Sequence, residues 1–414
     1  MRAYFYFLIL LQIPFPLFCQ QKNIRFQHLP TDAGLSQSDV LCILQDSRGF
    51  MWFGTEDGLN KYDGYKFTVY KNDPENNNSL SNNYVNDLKE DANGDIWIAT
   101  LDGGLNKYDR QKNSFIHFTN DPKNSGSISD NYVGCLLKDD KGNIWAGTSN
   151  GIDIFDKKNN SFIKYLENNN DSNSISDNTI TCMYEDKENN IWIGTISGGL
   201  NLFNPEKKSF IRFLHNDHDT ASLSHNSVTS IFEDSKHHLW IGTNGGGLNL
   251  LDRQTMKFRS FKKSNTKASG TCDNIIFSIT EDNDGMIWLA SENNGISIFN
   301  PATETFTNYK YNDFNSTGIS SNSIQKIYKD SKGNIWIGTY NEGINFLSRD
   351  ILKFIHYQHT AFSNSLINNK ILSIAEGSEN KLWIATDGGG IDMYDRNTGN
   401  FKHFQWQQQF YFGK

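Results

Sequence analysis

Little in this sequence supports helices, a large single-sign charge or a long membrane-seeking core. Proline is scarce, with 7 in 414 residues, and no stretch carries apolar residues at sustained helical spacing. Lysine and arginine are scattered rather than gathered into a stripe or tail, and the formal net charge is only −8, so nothing argues for direct nucleic-acid binding. After the first segment no apolar run is long enough to cross a bilayer as a helix. The motifs of nucleophilic hydrolases, Walker phosphate loops, EF-hands and HExxH metal sites are missing too. What is abundant is aromatic residues at 13%, 33 glycines, and many asparagines and serines. That mixture fits many short strands joined by polar turns.

The first segment, MRAYFYFLILLQIPFPLFCQQ, has Arg2, then an apolar run interrupted by Pro14 and Pro16 before Cys19 and Gln20. Residues 1–19 read as a secretory signal peptide, with a retained anchor or lipid attachment at Cys19 as alternatives. The expected compartment is the periplasm or another exported location, with no membrane segment left once the leader is removed.

The dominant signal is a repeat. Trp52, Trp97, Trp145, Trp192, Trp240, Trp288, Trp336 and Trp383 recur every 45 to 48 residues, and only Trp406 lies outside the series. Aligned on these tryptophans, seven copies carry Asp six positions earlier (Asp46, Asp91, Asp139, Asp186, Asp234, Asp282, Asp330), and the eighth has Gly377. Two positions after each Trp stands Gly or Ala: Gly54, Ala99, Gly147, Gly194, Gly242, Ala290, Gly338 and Ala385. Each copy parses as four strands, in the fifth SVTSIFED, HLWIGT, GLNLLD and KFRSFKK, with D-x-x-G between the first two and T-x-x-G between the next two. The second strand is apolar on consecutive residues, which implies burial of both faces, as in a propeller blade sandwiched between neighbours. The small residue after Trp is expected to lie under a bulky group of the adjacent blade.

The fold class is therefore all-β, a β-propeller of four-stranded blades. Asn23–His28 resembles a fourth strand such as SFIRFLH, so it is expected to complete the last blade as an outer strand, which removes free sheet edges. If it joins the seventh copy, residues 20–350 form a seven-bladed ring, and 351–414 form the first blade of a truncated second propeller, with Lys353–Tyr357 as the displaced outer strand. If it joins the eighth, the chain is a single eight-bladed ring. The first arrangement is favoured because the seventh copy breaks the Y-D pattern, reading FLSRDILKF, and because the chain stops after WQQQFYFGK.

The combined pattern D-x-x-G-x-I-W-I-G-T-x-x-G-G-L-N-x-Y-D resembles the regulator-propeller repeat of hybrid two-component systems of Bacteroidetes, over about residues 24 to 405. The resemblance implies a periplasmic sensor region of two seven-bladed propellers and a small β-domain. A membrane helix, a histidine kinase, a receiver and a DNA-binding domain would follow. It implies an oligosaccharide as the sensed ligand. The chain departs from that plan by lacking kinase motifs, receiver and membrane helix, so signalling by this polypeptide alone is not implied.

Candidate chemistry has a plain structural reading throughout. The tryptophans read as core. NGGGLN from Asn244 and DGGGID from Asp387 read as hairpin bends, not phosphate loops. Asp282, Asn283 and Asp284 before Gly285, and His237 with His238, occupy the D-x-x-G turn and not a metal site. Cys42, Cys135 and Cys182 share one repeat position where other copies have Ser230, Ser278 and Ser373, so these three and Cys272 are expected to be unpaired thiols. Expected catalytic residues, metals and cofactors are none, and the binding residues are not named by sequence. The expected partners are a small carbohydrate-like ligand and, as an open option, a second copy of the chain. The competing class is an exported lyase or hydrolase on a propeller scaffold. The ligand surface is placed on the face bearing the inter-blade loops NDPENNNSLSNN after Lys71, NDHDTASLSHN after His215 and YNDFNSTGISSN after Lys310.

Overall fold

The structure is a computed structural model and describes residues 24–264, 270–271, 273–349, 357–360 and 364–405. The leader and Cys19, Cys272, Lys353–His356 and Trp406 lie outside these residues. The chain divides into two compact units, Met1–Arg349 and Asp350–Lys414.

The first unit holds seven four-stranded antiparallel sheets, among the described residues. Blade 4 is typical, with strands Ile180–Glu185, Ile191–Thr195, Leu200–Asn204 and Ser209–Phe213. Its second strand, IWIGT, is buried at every residue, as the consecutive apolar pattern requires. Its inner strand slips register between Ile180 and Cys182, so that Cys182 faces Gly194 and Tyr184 faces Trp192. The same irregularity recurs in every inner strand, at Val40/Cys42 in blade 1 and Ile324/Lys326 in blade 7, for example.

The core is not inside the blades but between them. Seven hydrophobic clusters each combine residues of two neighbouring blades, and the last joins Trp336 and Ile344 of blade 7 to Val40, Ile43 and Phe53 of blade 1. The cycle is closed by hydrogen bonds as well. Ser331 N donates to Gln45 Oε1 at 2.8 Å, and Gly343 N to Ser38 O at 2.9 Å. The first strand, Gln27–Leu29, pairs antiparallel with Ile344–Leu347 of blade 7, Gln27 opposite Phe346. That is the arrangement in which the N-terminal strand joins the seventh copy. The strand begins at Gln27, later than the sequence pattern suggested, while Phe26 is buried in the cluster between blades 6 and 7.

The Gly or Ala after each Trp has the packing role expected of it. A Cβ on Gly194 would lie 2.6 Å from Cys182 Sγ and 2.7 Å from Val228 Cγ1, the latter on blade 5. The repeated Asp has a role that spacing alone did not explain. Asp186 Oδ1 accepts from Glu188 N and Asn190 N of its own turn, and Oδ2 accepts from Trp192 Nε1 at 2.8 Å. All seven ring blades repeat this Asp to Trp bond at 2.7 to 3.0 Å. A large indole can thus be buried with its one donor satisfied.

The second unit contains a single described sheet, Ile371–Glu376, Lys381–Thr386, Gly390–Asp395 and Asn400–Phe404.

Candidate functional site: the long-loop face of the ring

Because strands alternate in direction, the loops between second and third strands share one face of the ring with the loops that lead from one blade to the next. The D-x-x-G turns share the other face with the hairpins between third and fourth strands. On the turn face the sequence candidates are absorbed by structure. Asp282 Oδ1 accepts from Asp284 N and Met286 N, and its Oδ2 accepts from Trp288 Nε1. His238 Nδ1 sits 2.8 Å from Asp234 Oδ2, and His237 Nδ1 3.3 Å from Glu233 Oε1. No group of His, Cys, Asp and Glu suited to holding a metal occurs among the described residues. On the other face, Gly247 of the NGGGLN bend has φ 75°, a conformation that favours glycine at a hairpin.

The inter-blade loops are varied in sequence but built on one scaffold. In 72–83, Asn72 Nδ2 donates to Leu80 O at 2.7 Å, Asn83 Oδ1 accepts from Asn72 N, and Ser79 Oγ donates to Asp73 O. Leu80, Ile128, Ile175, Leu223 and Ile319 plug five of the loops into the core, and buried Thr271 holds the equivalent position between blades 5 and 6. A second brace comes from the third strand. Fully buried Asn201 accepts from Ser176 N at 3.1 Å and donates to Ser176 Oγ at 2.7 Å, and Asn60, Asn106, Asn249 and Asn345 do the same with Ser36, Ser81, Ser224 and Ser320. These asparagines and serines, which look like a variable polar surface in sequence, are therefore consumed in bracing the loops.

Blade 3 breaks this brace chemically. Asp153 replaces Asn, accepts from Ser129 N and Ser129 Oγ, and is fully buried. Burial pushes its carboxyl up to about 6, against the lowering effect of the Ser129 hydrogen bonds and Lys164.

Among the described residues, the loop face departs from the common pattern where blade 6 leads into blade 7. At the position of Asn72, Asn120 and His215, whose side chains brace their loops, stands Tyr311. Its hydroxyl donates instead to Asp313 Oδ1 at 2.7 Å, and that bond with the nearby Asp313 and Glu342 charges raises the phenol above its usual value. Tyr311 is 45% exposed, Phe314 in the same loop 91%, and Tyr340 on the next hairpin 44%. The positions equivalent to Tyr340 hold Glu56, Leu101, Ser149, Ile196, Asn244 and Glu292.

A cavity of about 450 Å³ lies between the inner strands, lined in part by Cys42, Cys135, Cys182, Asp87, Lys89 and Lys326. Asp87 Oδ2 accepts from Leu136 N of the next blade. The three described cysteines are unpaired. Burial raises all three thiols, that of Cys182 to about 12.

A closed ring of β-blades with braced loops on one face defines a β-propeller. Eight segments, 34–57, 79–102, 127–150, 174–197, 222–245, 270–293, 318–341 and 365–388, match the family described as two component regulator propeller, and the chain belongs to that family. It is similar to the extracellular domain of the hybrid two component system BT3049 from B. thetaiotaomicron. That match has 31% identity and a TM-score of 0.73, covering 92% of this chain and 49% of the other. A 62-residue stretch is 48% identical to histidine kinase P4 of Formosa agariphila, covering 15% of this chain and 4% of the kinase. Virginiamycin B lyase from Staphylococcus aureus superposes with a TM-score of 0.58 over 78% of this chain and 99% of the lyase, but at 14% identity it shows a shared fold alone. The chain thus spans about half of the solved sensor domain it matches and a small part of the kinase. Among the described residues no helix is long and apolar enough to cross a membrane.

Proposed function

We propose that this chain is an exported, ligand-receiving domain of a two-component sensor, that it is not itself an enzyme, and that it takes an oligosaccharide on the long-loop face. The observation that carries the reading is the construction of that face. Its loops are held in fixed shape by buried asparagines and Asx turns, yet their outward side chains differ from blade to blade. Preorganised loops on a rigid scaffold are how a binding surface avoids ordering costs. The similarity to extracellular domains of hybrid two-component systems supports both export and a sensing role.

The test is thermal denaturation of the purified chain against a library of oligosaccharides, since a ligand that binds only the native state raises its melting temperature. One saccharide class is expected to raise the midpoint reproducibly and saturably. A flat response across neutral, amino and acidic saccharides refutes the reading. Export is tested separately by mass spectrometry, which is expected to find cleavage near Cys19 and Gln20. Intact Met1 on a cytoplasmic product refutes it.

A further inference from the structure

We propose that Tyr311, Phe314 and Tyr340, at the junction of blades 6 and 7, form the stacking surface for a saccharide that carries no acidic groups. The inference rests on the oligosaccharide reading above and narrows it in place and in chemistry.

Exposed aromatic rings are costly to leave in water, and here three belong to one of the equivalent junctions, two in its loop and the third on the hairpin whose Tyr340 N donates to Ser323 O at the loop's end, at 3.0 Å. Tyr311 and Phe314 are three residues apart in one loop, and Tyr340 stands on the hairpin of Glu342, whose charge acts on the Tyr311 phenol. None of the three is consumed by the scaffold. The loop around Tyr311 still closes through Asn322 Oδ1, which accepts Tyr311 N at 2.9 Å, so this side chain is released from bracing without loosening the backbone. Sugar rings present C–H faces that pack on aromatic faces, and hydroxyl edges that need polar partners. The patch supplies both, with the tyrosine hydroxyls and the carboxylates of Asp313 and Glu342 beside the rings.

Charge selects among saccharides. Asp313 and Glu342 flank Tyr311, and Glu292 lies on the adjoining hairpin of blade 6. The one cation in 310–323 is Lys310, whose Nζ donates to Asn294 Oδ1 at 2.9 Å. The N-terminal segment brings His28 Nε2 to Gly318 O at 2.8 Å, at the far end of the loop from Tyr311. Beside the rings a uronate or sulfate would meet the Asp313 and Glu342 carboxylates, whereas neutral hydroxyls can donate to them and amino sugars are attracted.

The experiment is isothermal titration of the whole chain with xylo-, manno- and deacetylated chito-oligosaccharides. Oligogalacturonides and sulfated disaccharides serve as acidic comparators. Phe314→Ala and Tyr340→Ala are measured beside the parent, and Leu101→Ala, at the equivalent blade 2 position, is the control. Neutral or amino saccharides are expected to bind, and each aromatic truncation to weaken binding by about tenfold while the control does not. Saccharide binding unaffected by both truncations overturns the assignment and leaves the proposed function standing. Preference for acidic saccharides overturns the ligand class. No binding by folded parent overturns the inference together with the reading beneath it.

Discussion

Blade 4 and the eighth sheet carry nearly the same repeat but live in different surroundings. In blade 4 the inner strand is buried or half-buried, the second strand is buried throughout, and Trp192 is enclosed with its indole N–H on Asp186. In the eighth sheet every residue of Ile371–Glu376 is exposed, Leu372 by 64%, and Trp383 is 38% exposed. The strand pairing itself is intact, with Ser373 opposite Ala385 and Ala375 opposite Trp383. Local sequence thus suffices for a four-stranded sheet, but burial of its faces is something neighbouring blades provide. The acceptor differs too. Gly377 stands where Asp186 does in blade 4, and a Cβ there would lie 2.6 Å from Trp383 Nε1.

The contrast predicts unequal costs for matching substitutions. Gly194→Leu should cost about 3 kcal/mol or more, because Cys182 and Val228 already fill the space, while Ala385→Leu should cost about 1 kcal/mol or less. Calorimetric unfolding of the two variants checks this, and equal losses would show that neighbours do not set the constraint. Asp186→Ala should cost about 3 kcal/mol, since it leaves the Trp192 indole and two turn amides without their acceptor and takes one of its two close carboxylates from Arg253, whose Nη2 stays on Glu233. Burial alone would raise the Asp186 carboxyl, but the hydrogen bonds from Trp192 and Arg253 outweigh it and hold it below the usual carboxylate range. Urea titration of this variant yielding a loss below about 1 kcal/mol would mean the Asp is only a turn residue.

Smaller effects sharpen the comparison within the ring. Asp153 titrates at about 6 in the folded chain and near 3.8 when unfolded, so the folded state holds the proton more tightly. Its carboxyl therefore favours folding below about pH 4, and that benefit is lost as pH rises through 6. Asp153→Asn, which restores the residue used in blades 1, 2, 4, 5 and 7, should stabilise the ring by about 1–3 kcal/mol at pH 8 and change little at pH 4. A gain independent of pH would place the effect elsewhere than in the carboxyl's titration. The smallest effect concerns thiols. With burial raising Cys42, Cys135 and Cys182, none should react appreciably with iodoacetamide in the native chain at pH 8. Peptide mapping that finds rapid native labelling at these three would contradict their packing.

The repeat made the blades legible because the strand pattern, the hairpin glycines and the small residue after Trp all follow from local chemistry and volume. The meaning of the Asp at Trp minus six was not legible, since an indole to carboxylate bond needs the turn's three-dimensional course. The buried asparagines of the third strand are not legible either. They look like surface polarity in GLN, and their serine partners lie about 25 residues earlier. The sequence places the variable loops on one face but does not single out Tyr311, Phe314 and Tyr340 among their Asn, Ser and Asp residues. Comparing Tyr311 with Asn72, Asn120, Glu167, His215 and Lys263 column by column would have exposed the break in symmetry.

The pairing of Gln27–Leu29 with Ile344–Leu347 has a consequence for biogenesis. A chain that emerges N-terminus first presents one half of the clasp at the start and the other only after nearly the whole ring has been made. Until then the third strand of blade 7 lacks its outer partner, and the opening strand is an unpaired edge available to wrong partners. Ring closure should thus be the slow, late event of folding, governed by the search of two distant segments for each other rather than by the formation of any single blade.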